Sequence, residues 1–301
     1  MDEASGLVTS KKAKRKLVRG LVTIGLLALL LLGAVLTAGA ATGDNLRSIT
    51  VSPAPSCGSF TPLTVGIAFD GSELLVSCYY NNVITRVNPA NGAVLGTYAI
   101  SGLRNVGINA IAWDANHSQL WMATNYSDVY TATLNKAGGT GAATLAFTTV
   151  LPPPLDGLAY DGFDNTVWLS GDADYTVYHR STTGGALGSF PVNLGGKGNS
   201  GIAVADATHL YLGNDGGGQV YIAGKDGTGI SLFITLAGKR VEDLECDATT
   251  FAPQSVLWTK DAYDWELNAW QVPAGLCAEG GVSPAPSPVH IYLPFITASG
   301  S

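Results

Sequence analysis

Two columns of oxygen-bearing side chains recur at fixed places in this 301-residue chain. Asn109, Asp156, Ser200 and Glu242 each stand directly ahead of a short apolar run; Asp243 follows Glu242, and Val65 holds the same place at the first run. The second column sits two residues beyond a second apolar run: Tyr79, Asn125, Asp172, Asp215 and Asp261. Carboxylate and amide oxygens are what a hard divalent cation such as Ca²⁺ prefers. If the first column converges, Asn109, Asp156 and Glu242 form a set able to hold such an ion, with Ser200 and Asp243 as further ligand contacts. The competing reading is local. Asp and Asn end strands because their side chains hydrogen-bond nearby backbone and shape turns, and this reading suits the second column better than the first.

Other chemistry is scarce, and no catalytic residue is assigned. His117, His179, His209 and His290 fall in separate segments without metal-ligand spacing. The chain has no Gly-x-Ser-x-Gly elbow, Walker loop or His-Glu-x-x-His. Gly195-Gly196-Lys197-Gly198 lacks the spacing of a phosphate loop and leads into a strand rather than a helix, so it reads as a turn.

The elements that must position the two columns are repeats. Five segments begin alike: Gly66-Ile67-Ala68-Phe69-Asp70, Ala110-Ile111-Ala112-Trp113-Asp114, Gly157-Leu158-Ala159-Tyr160-Asp161, Gly201-Ile202-Ala203-Val204-Ala205 and Asp243-Leu244-Glu245-Cys246-Asp247. Each is followed by a second run, as in Leu120-Trp121-Met122-Ala123 and Val167-Trp168-Leu169-Ser170, and by a third, as in Thr176-Val177-Tyr178-His179-Arg180. A fourth is clear in the first four copies, at Ala93–Ile100, Ala143–Val150, Ala186–Val192 and Gly229–Leu236. Four strands per unit at a period of about 40–45 residues is the signature of propeller blades. The predicted fold is therefore all-β: a β-propeller of about five four-stranded blades, or six if residues 44–62 and 278–298 build a degenerate one. In such a fold both columns lie at one end of the central channel. The last copy lacks a fourth strand, and Ile49-Thr50-Val51 is available to supply it, which would remove an open sheet edge.

The repeat pattern resembles those of bacterial NHL-, YncE- and SMP-30-like propellers across roughly residues 63–277. The resemblance implies a fold rather than an activity, since such propellers include lactonases, lyases and binding modules. In the SMP-30-like lactonases a metal is held around the channel by carboxylate and amide side chains, which is the arrangement Asn109, Asp156 and Glu242 would match.

Lys11, Lys12, Lys14, Arg15, Lys16 and Arg19 precede an uncharged apolar run from Leu21 to Ala41, long enough as a helix to span about 30 Å of hydrocarbon. Residues 1–43 read as a signal peptide, with Ala38-Gly39-Ala40 as its cleavage site, or as an uncleaved signal-anchor helix; either directs the rest of the chain out of the cytoplasm. Residues 44–62 follow as a linker or closing strand, 63–277 as the propeller, and 278–301 as a Pro/Ser-rich linker and tail. Beyond residue 43 there are 10 basic against 21 acidic residues, a net charge of −11, which argues against nucleic acid as a partner. Cys57 and Cys78 fall at the first repeat, Cys246 and Cys277 at the last. Local pairs 57–78 and 246–277 are expected, with Cys57–Cys277 as the alternative; both arrangements suit an oxidising compartment. The leading functional expectation is a secreted or cell-surface propeller that binds an extracellular protein, glycan or small molecule or serves as a cell-envelope module, on the membrane if its helix is retained. The alternative is a metal-dependent lactonase or hydrolase using the channel-mouth carboxylates.

Overall fold

The computed structural model describes residues 41–277 apart from 53, 56, 58–62, 152, 173 and 237. The expected N-terminal helix and the 278–301 tail lie outside the described residues. Twenty strands form among those that remain. β1 is Asn45–Thr50. The first blade is β2 (Ile67–Phe69), β3 (Leu74–Ser77), β4 (Val83–Val87) and β5 (Val94–Ser101), and the second is β6 (Ile108–Asp114), β7 (Gln119–Thr124), β8 (Asp128–Asn135) and β9 (Thr140–Thr148). The third holds β10 (Leu155–Asp161), β11 (Thr166–Gly171), β12 (Thr176–Ser181) and β13 (Ala186–Pro191), and the fourth β14 (Asn199–Val204), β15 (His209–Asn214), β16 (Gln219–Gly224) and β17 (Ser231–Thr235). β18 (Asp243–Asp247), β19 (Ser255–Lys260) and β20 (Glu266–Val272) belong to the fifth. Every blade is an antiparallel meander, and the first two are fused at their outer edges by parallel pairing of β5 with β9 at Ala99↔Thr140.

The ring closes at five. β1 pairs antiparallel with β20, from Thr50↔Glu266 to Asn45↔Trp270, and supplies the fourth strand of the last blade. The innermost strands of the fifth and first blades are direct neighbours, with the Ile67 amide donating to Asp243 Oδ2 at 2.8 Å. Residues 45–50 are thereby used, so the sixth blade entertained above is corrected: the closing strand completes a blade instead of starting one. Cys57–Cys78 and Cys246–Cys277 are bonded, with Cα separations of 5.2 and 5.0 Å. The alternative Cys57–Cys277 bond is not formed.

Five apolar clusters hold the ring, one between each pair of neighbouring blades. Alternation along a strand explains how one short sequence serves two clusters. In β6, Ala110 and Ala112 pack toward the third blade, whereas Ile108 and Ile111 pack toward the first, across an irregularity in the β6–β7 register. The repeated glycine at the head of the inner strand is a requirement of this packing. A Cβ on Gly66 would lie 2.4 Å from the Asn109 carbonyl oxygen, and one on Gly157 2.4 Å from that of Ser200.

The repeated Asp at the end of the inner strand has a structural task. Asp114, Asp161 and Asp247 are fully buried. Each accepts an indole N–H from the second strand of its own blade: Trp121 at 3.3 Å, Trp168 at 3.0 Å and Trp258 at 3.0 Å. Asp247 also accepts the Thr249 and Thr250 amides, so one carboxylate closes the hairpin turn and anchors the aromatic beside it. The fourth copy has Ala205 here, and its second-strand aromatic, Tyr211, is left with a buried hydroxyl that has no partner among the described residues.

Deleting Asn45–Thr50 from the chain would leave β20 as an open edge and strip Ile49 and Leu46 from the cluster between the fifth and first blades. At about 1.5–3 kcal/mol per buried side chain, a fall in melting temperature of roughly 10 °C is expected, together with edge-to-edge association. Thermal melting and light scattering on the deletion read both.

Candidate ligand site at the channel mouth

Two sets of loops meet at one end of the channel: those leading into each inner strand, and those joining second to third strands. A repeated backbone bond fixes their spacing. The Tyr79 amide donates to the Leu63 carbonyl, Asp172 to Pro154 and Asp215 to Gly198, at 3.1, 3.0 and 3.0 Å. Each bond sets a second-column residue beside the approach to a first-column one, which is why the two columns share a face.

Between them lies a cavity of about 400 Å³. Asp156 and Glu242 reach it from the first column, and Tyr79, Asp172 and Asp215 from the second. Arg240, Tyr80 and Tyr263 complete its polar and aromatic wall, with Leu63, Val65, Pro154 and Ala262 between. A second cavity of about 50 Å³, near the opposite ends of the inner strands beside Phe69, Trp113 and Tyr160, has room for no more than a few waters.

The mouth is strongly acidic. Its one lining cation, Arg240, is ion-paired with Glu242 and lies 3.8 Å from Asp261, with its guanidinium 4.9 Å above the centre of the Tyr263 ring. Asp156 is only 8% exposed. Its single hydrogen bond comes from Asn109 Nδ2 to Oδ1 at 2.9 Å, and Oδ2 has no partner among the described residues. Burial first, then the Asp172 and Glu242 carboxylates, push its pKa up to about 8, against the Asn109 bond and with Asp215 adding to the rise. Asp156 is therefore drawn toward its neutral form. Burial and Asp215 raise Asp172 as well, against the pull of Arg240. Burial raises Glu242 in spite of Arg240 and Ser200.

Several residues expected at the mouth are engaged behind it. Asn109 is fully buried, and its Oδ1 has no partner among the described residues. Ser200 Oγ donates to the Glu242 backbone carbonyl and to Glu242 Oε2, both at 3.0 Å, and so positions that side chain. Asp243 is fully buried and accepts the Ile67 and Leu244 amides at 2.8 and 2.9 Å, serving ring closure rather than a ligand. Its carboxyl is raised well above the usual range, by burial, against those two bonds. In the second column Asn125 donates to the Tyr79 carbonyl at 2.9 Å. Asp261 accepts the Tyr263 amide at 2.9 Å, the turn-shaping use expected of the whole column. Asp172 and Asp215 instead face the cavity.

No three of the Asp, Glu, His or Cys side chains among the described residues group closely enough to hold a metal ion. Within the set of Asn109, Asp156 and Glu242, Asn109 turns an amide N–H toward Asp156, and Glu242 is held by Arg240.

Sequence reasoning missed Arg240 and the tyrosines. Arg240 was findable: it is one of ten basic residues beyond residue 43 and stands two places before a first-column carboxylate. The tyrosines follow the second strand in four blades, as Tyr80, Tyr126, Tyr175 and Tyr263, all substantially exposed. Of these, Tyr80 and Tyr263 line the cavity.

No family model matches the chain, and no curated protein matches it. Solved structures do. The chain is similar to Myxococcus xanthus glutaminyl cyclase at 12% identity, over 78% of this chain and 97% of that one, with a TM-score of 0.52. It is also similar to a chain of a mitotic checkpoint complex at 14% identity and a TM-score of 0.42, over 68% of this chain; it spans 60% of that chain's length. At 12% identity the likeness to the cyclase is one of fold.

Proposed function

We propose that this chain is an exported ligand-binding propeller whose site is the acidic mouth of its channel. The carrying observation is the cavity of about 400 Å³ into which both residue columns open, with four carboxylates and one guanidinium on its wall. Small-molecule sites are typically about 300–1,000 Å³ with a few convergent polar groups. Export is supported by the basic and apolar N-terminal segment and by the two disulfides, a bond type that persists in oxidising compartments. The N-terminal segment is then either cleaved or kept as the membrane anchor, and the 278–301 tail is a linker to the cell envelope. Kinship with NHL-, YncE- or SMP-30-like propellers is the closer relationship proposed within the fold.

A melting-temperature screen of the full chain against neutral, anionic and cationic metabolites, glycans and Ca²⁺ tests this reading. A mouth ligand at about 100 times its Kd adds about 2.7 kcal/mol of stability. That gain should vanish in the double variant Asp172→Asn, Asp215→Asn. Ligands that stabilise the double variant equally would place binding elsewhere and overturn the reading.

The second reading is a hydrolase of the lactonase kind. Asp156 favours it, as a buried acid opening on the cavity and titrating near neutral pH, which suits general acid–base work. Elemental analysis and lactone hydrolysis with added Ca²⁺, Zn²⁺ or Mn²⁺ test it; no bound metal and no turnover would end it. Glutaminyl cyclase activity, named by the fold neighbour, belongs in the same set of assays.

A further inference from the structure

Lys260, the last residue of β19, is the only fully buried lysine or arginine among the described residues. Its Nζ donates to the Asp261 carbonyl and, at 2.6 Å, to the Asp264 carbonyl, and lies 3.6 Å from Asp264 Oδ1. One amine thus holds both ends of the loop between β19 and β20. That loop forms part of the mouth, with Ala262 and Tyr263 on the cavity wall. The Tyr263 ring lies under the Arg240 guanidinium, and Asp261 Oδ1 is 3.8 Å from Arg240 Nε.

The fold does not demand a cation at this place. The ends of the other four second strands hold Cys78, Thr124, Gly171 and Asn214. In the second blade the Thr124 hydroxyl donates to the Asp128 carbonyl at 3.4 Å across the equivalent loop. In the fourth, Asn214 Nδ2 donates to Gln219 Oε1 at 3.1 Å and Asn214 Oδ1 accepts the Gln219 amide at 3.0 Å. A short neutral side chain therefore suffices to close this turn, whereas taking a charged group out of water is costly. The fifth blade carries the costlier residue where its loop meets the mouth.

We propose that Lys260 is a positioning residue for the mouth, holding Arg240 against Glu242 through the 261–264 loop and so fixing where the one cation of the cavity wall lies. The proposal rests on the reading of the mouth as a ligand site. Its geometry is a closed circuit. Lys260 Nζ fixes the Asp261 and Asp264 carbonyls, and the Asp261 carboxylate accepts the Tyr263 amide at 2.9 Å. Tyr263 and Asp261 flank Arg240, and Arg240 pairs with Glu242. The Glu242 amide in turn donates to the Lys260 carbonyl at 2.8 Å. Lys260 thereby holds both partners of that ion pair, Glu242 by its backbone and the cradle of Arg240 by its side chain. With the loop released, the guanidinium, already 43% exposed, loses Tyr263 and Asp261, and a ligand meets a different arrangement of charge on the wall.

Two variants of the full chain test this. Lys260→Met keeps the bulk and removes every donor, and Lys260→Thr installs the residue that the second blade uses at this place. In both, amide hydrogen exchange over 261–266 should quicken about tenfold, the value of one charged hydrogen bond, with the third blade unchanged. Phenylglyoxal labelling read by mass spectrometry should show Arg240 reacting several-fold faster relative to Arg104, an exposed arginine that serves as internal reference. A lower melting temperature with loop exchange and Arg240 reactivity as in the wild type would make Lys260 a stabilising residue only and overturn the proposal. Failure of both variants to fold would overturn it too, because the fold would then require the lysine. Neither readout needs a ligand. Unchanged Arg240 reactivity therefore removes this inference and leaves the mouth as a ligand site, whereas a freed Arg240 in a chain whose mouth takes nothing in the melting screen keeps the clamp and removes the reading beneath it.

Discussion

Replacing Trp258 with alanine is expected to lower the unfolding free energy by about 3–5 kcal/mol, the range for deleting a buried large aromatic. Trp258 is completely buried between the fifth and first blades, where Ile67, Phe69 and Val76 pack with it in one cluster. Its ring also tilts against Phe251, with centroids 6.0 Å apart. In a domain of this size the loss corresponds to roughly 10 °C in melting temperature. Trp258→Phe separates the two contributions. It keeps most of the bulk but removes the N–H that Asp247 Oδ2 accepts at 3.0 Å, leaving a fully buried carboxylate short of one donor at a cost of about 1–3 kcal/mol. Denaturant midpoints of the two variants give the packing term by difference. If the phenylalanine variant melts with the wild type, the Asp–Trp bond contributes nothing and the repeated Asp is only a turn residue.

The second large effect is a pH dependence centred on Asp156. Its pKa, 3.8 for the unperturbed group, is pushed up to about 8 in the folded chain. Between these values the folded state holds a proton that the unfolded state has released. Stability therefore falls as pH rises, by up to about 1.4 kcal/mol per unit, and the group's contribution is fully present only below the unfolded value. Asp156→Asn keeps an oxygen to accept from Asn109 Nδ2 and removes the titration. The variant should match the wild type near pH 4 and exceed it by about 5 kcal/mol near pH 8. Urea unfolding at pH 5, 6, 7 and 8 tests this. The series stops at pH 8 because buried Lys260, pulled down to about 8 by burial against Asp264 and Asp261, makes stability rise with pH above that point. A variant-to-wild-type difference that stays flat across the series would show that Asp156 is ionised in the folded protein.

The architecture was legible because a blade is too thin to bury itself, so each copy must repeat the same apolar faces. The inner-strand pentapeptides, the closing strand and the cysteine pairs all followed from that repetition. The mouth was legible by position but not by partner. Ser200 and Asp243 occupy the expected column, yet their polar atoms are taken by Glu242 and by the Ile67 and Leu244 amides. A sequence shows where a side chain starts, not which neighbouring backbone group reaches it first. Arg240 was missed for a related reason. It lies in a loop outside the repeated strands, where no periodicity marks it.

The pairing of Asn45 with Trp270 joins strands separated by nearly the whole of the described chain. Ribosomes add about 5–20 residues per second, so β1 emerges roughly 10–45 s before the strand it completes. Throughout that interval Ile49 has no β20 to pack beside, and β20, once made, has one correct partner waiting at the far end of the same polypeptide. The clasp between the two ends is thus the last pairing that synthesis allows, after the strands of the other four blades have been made. A holdase that shields the early strand should raise the yield of native protein more than any aid given to the blades between.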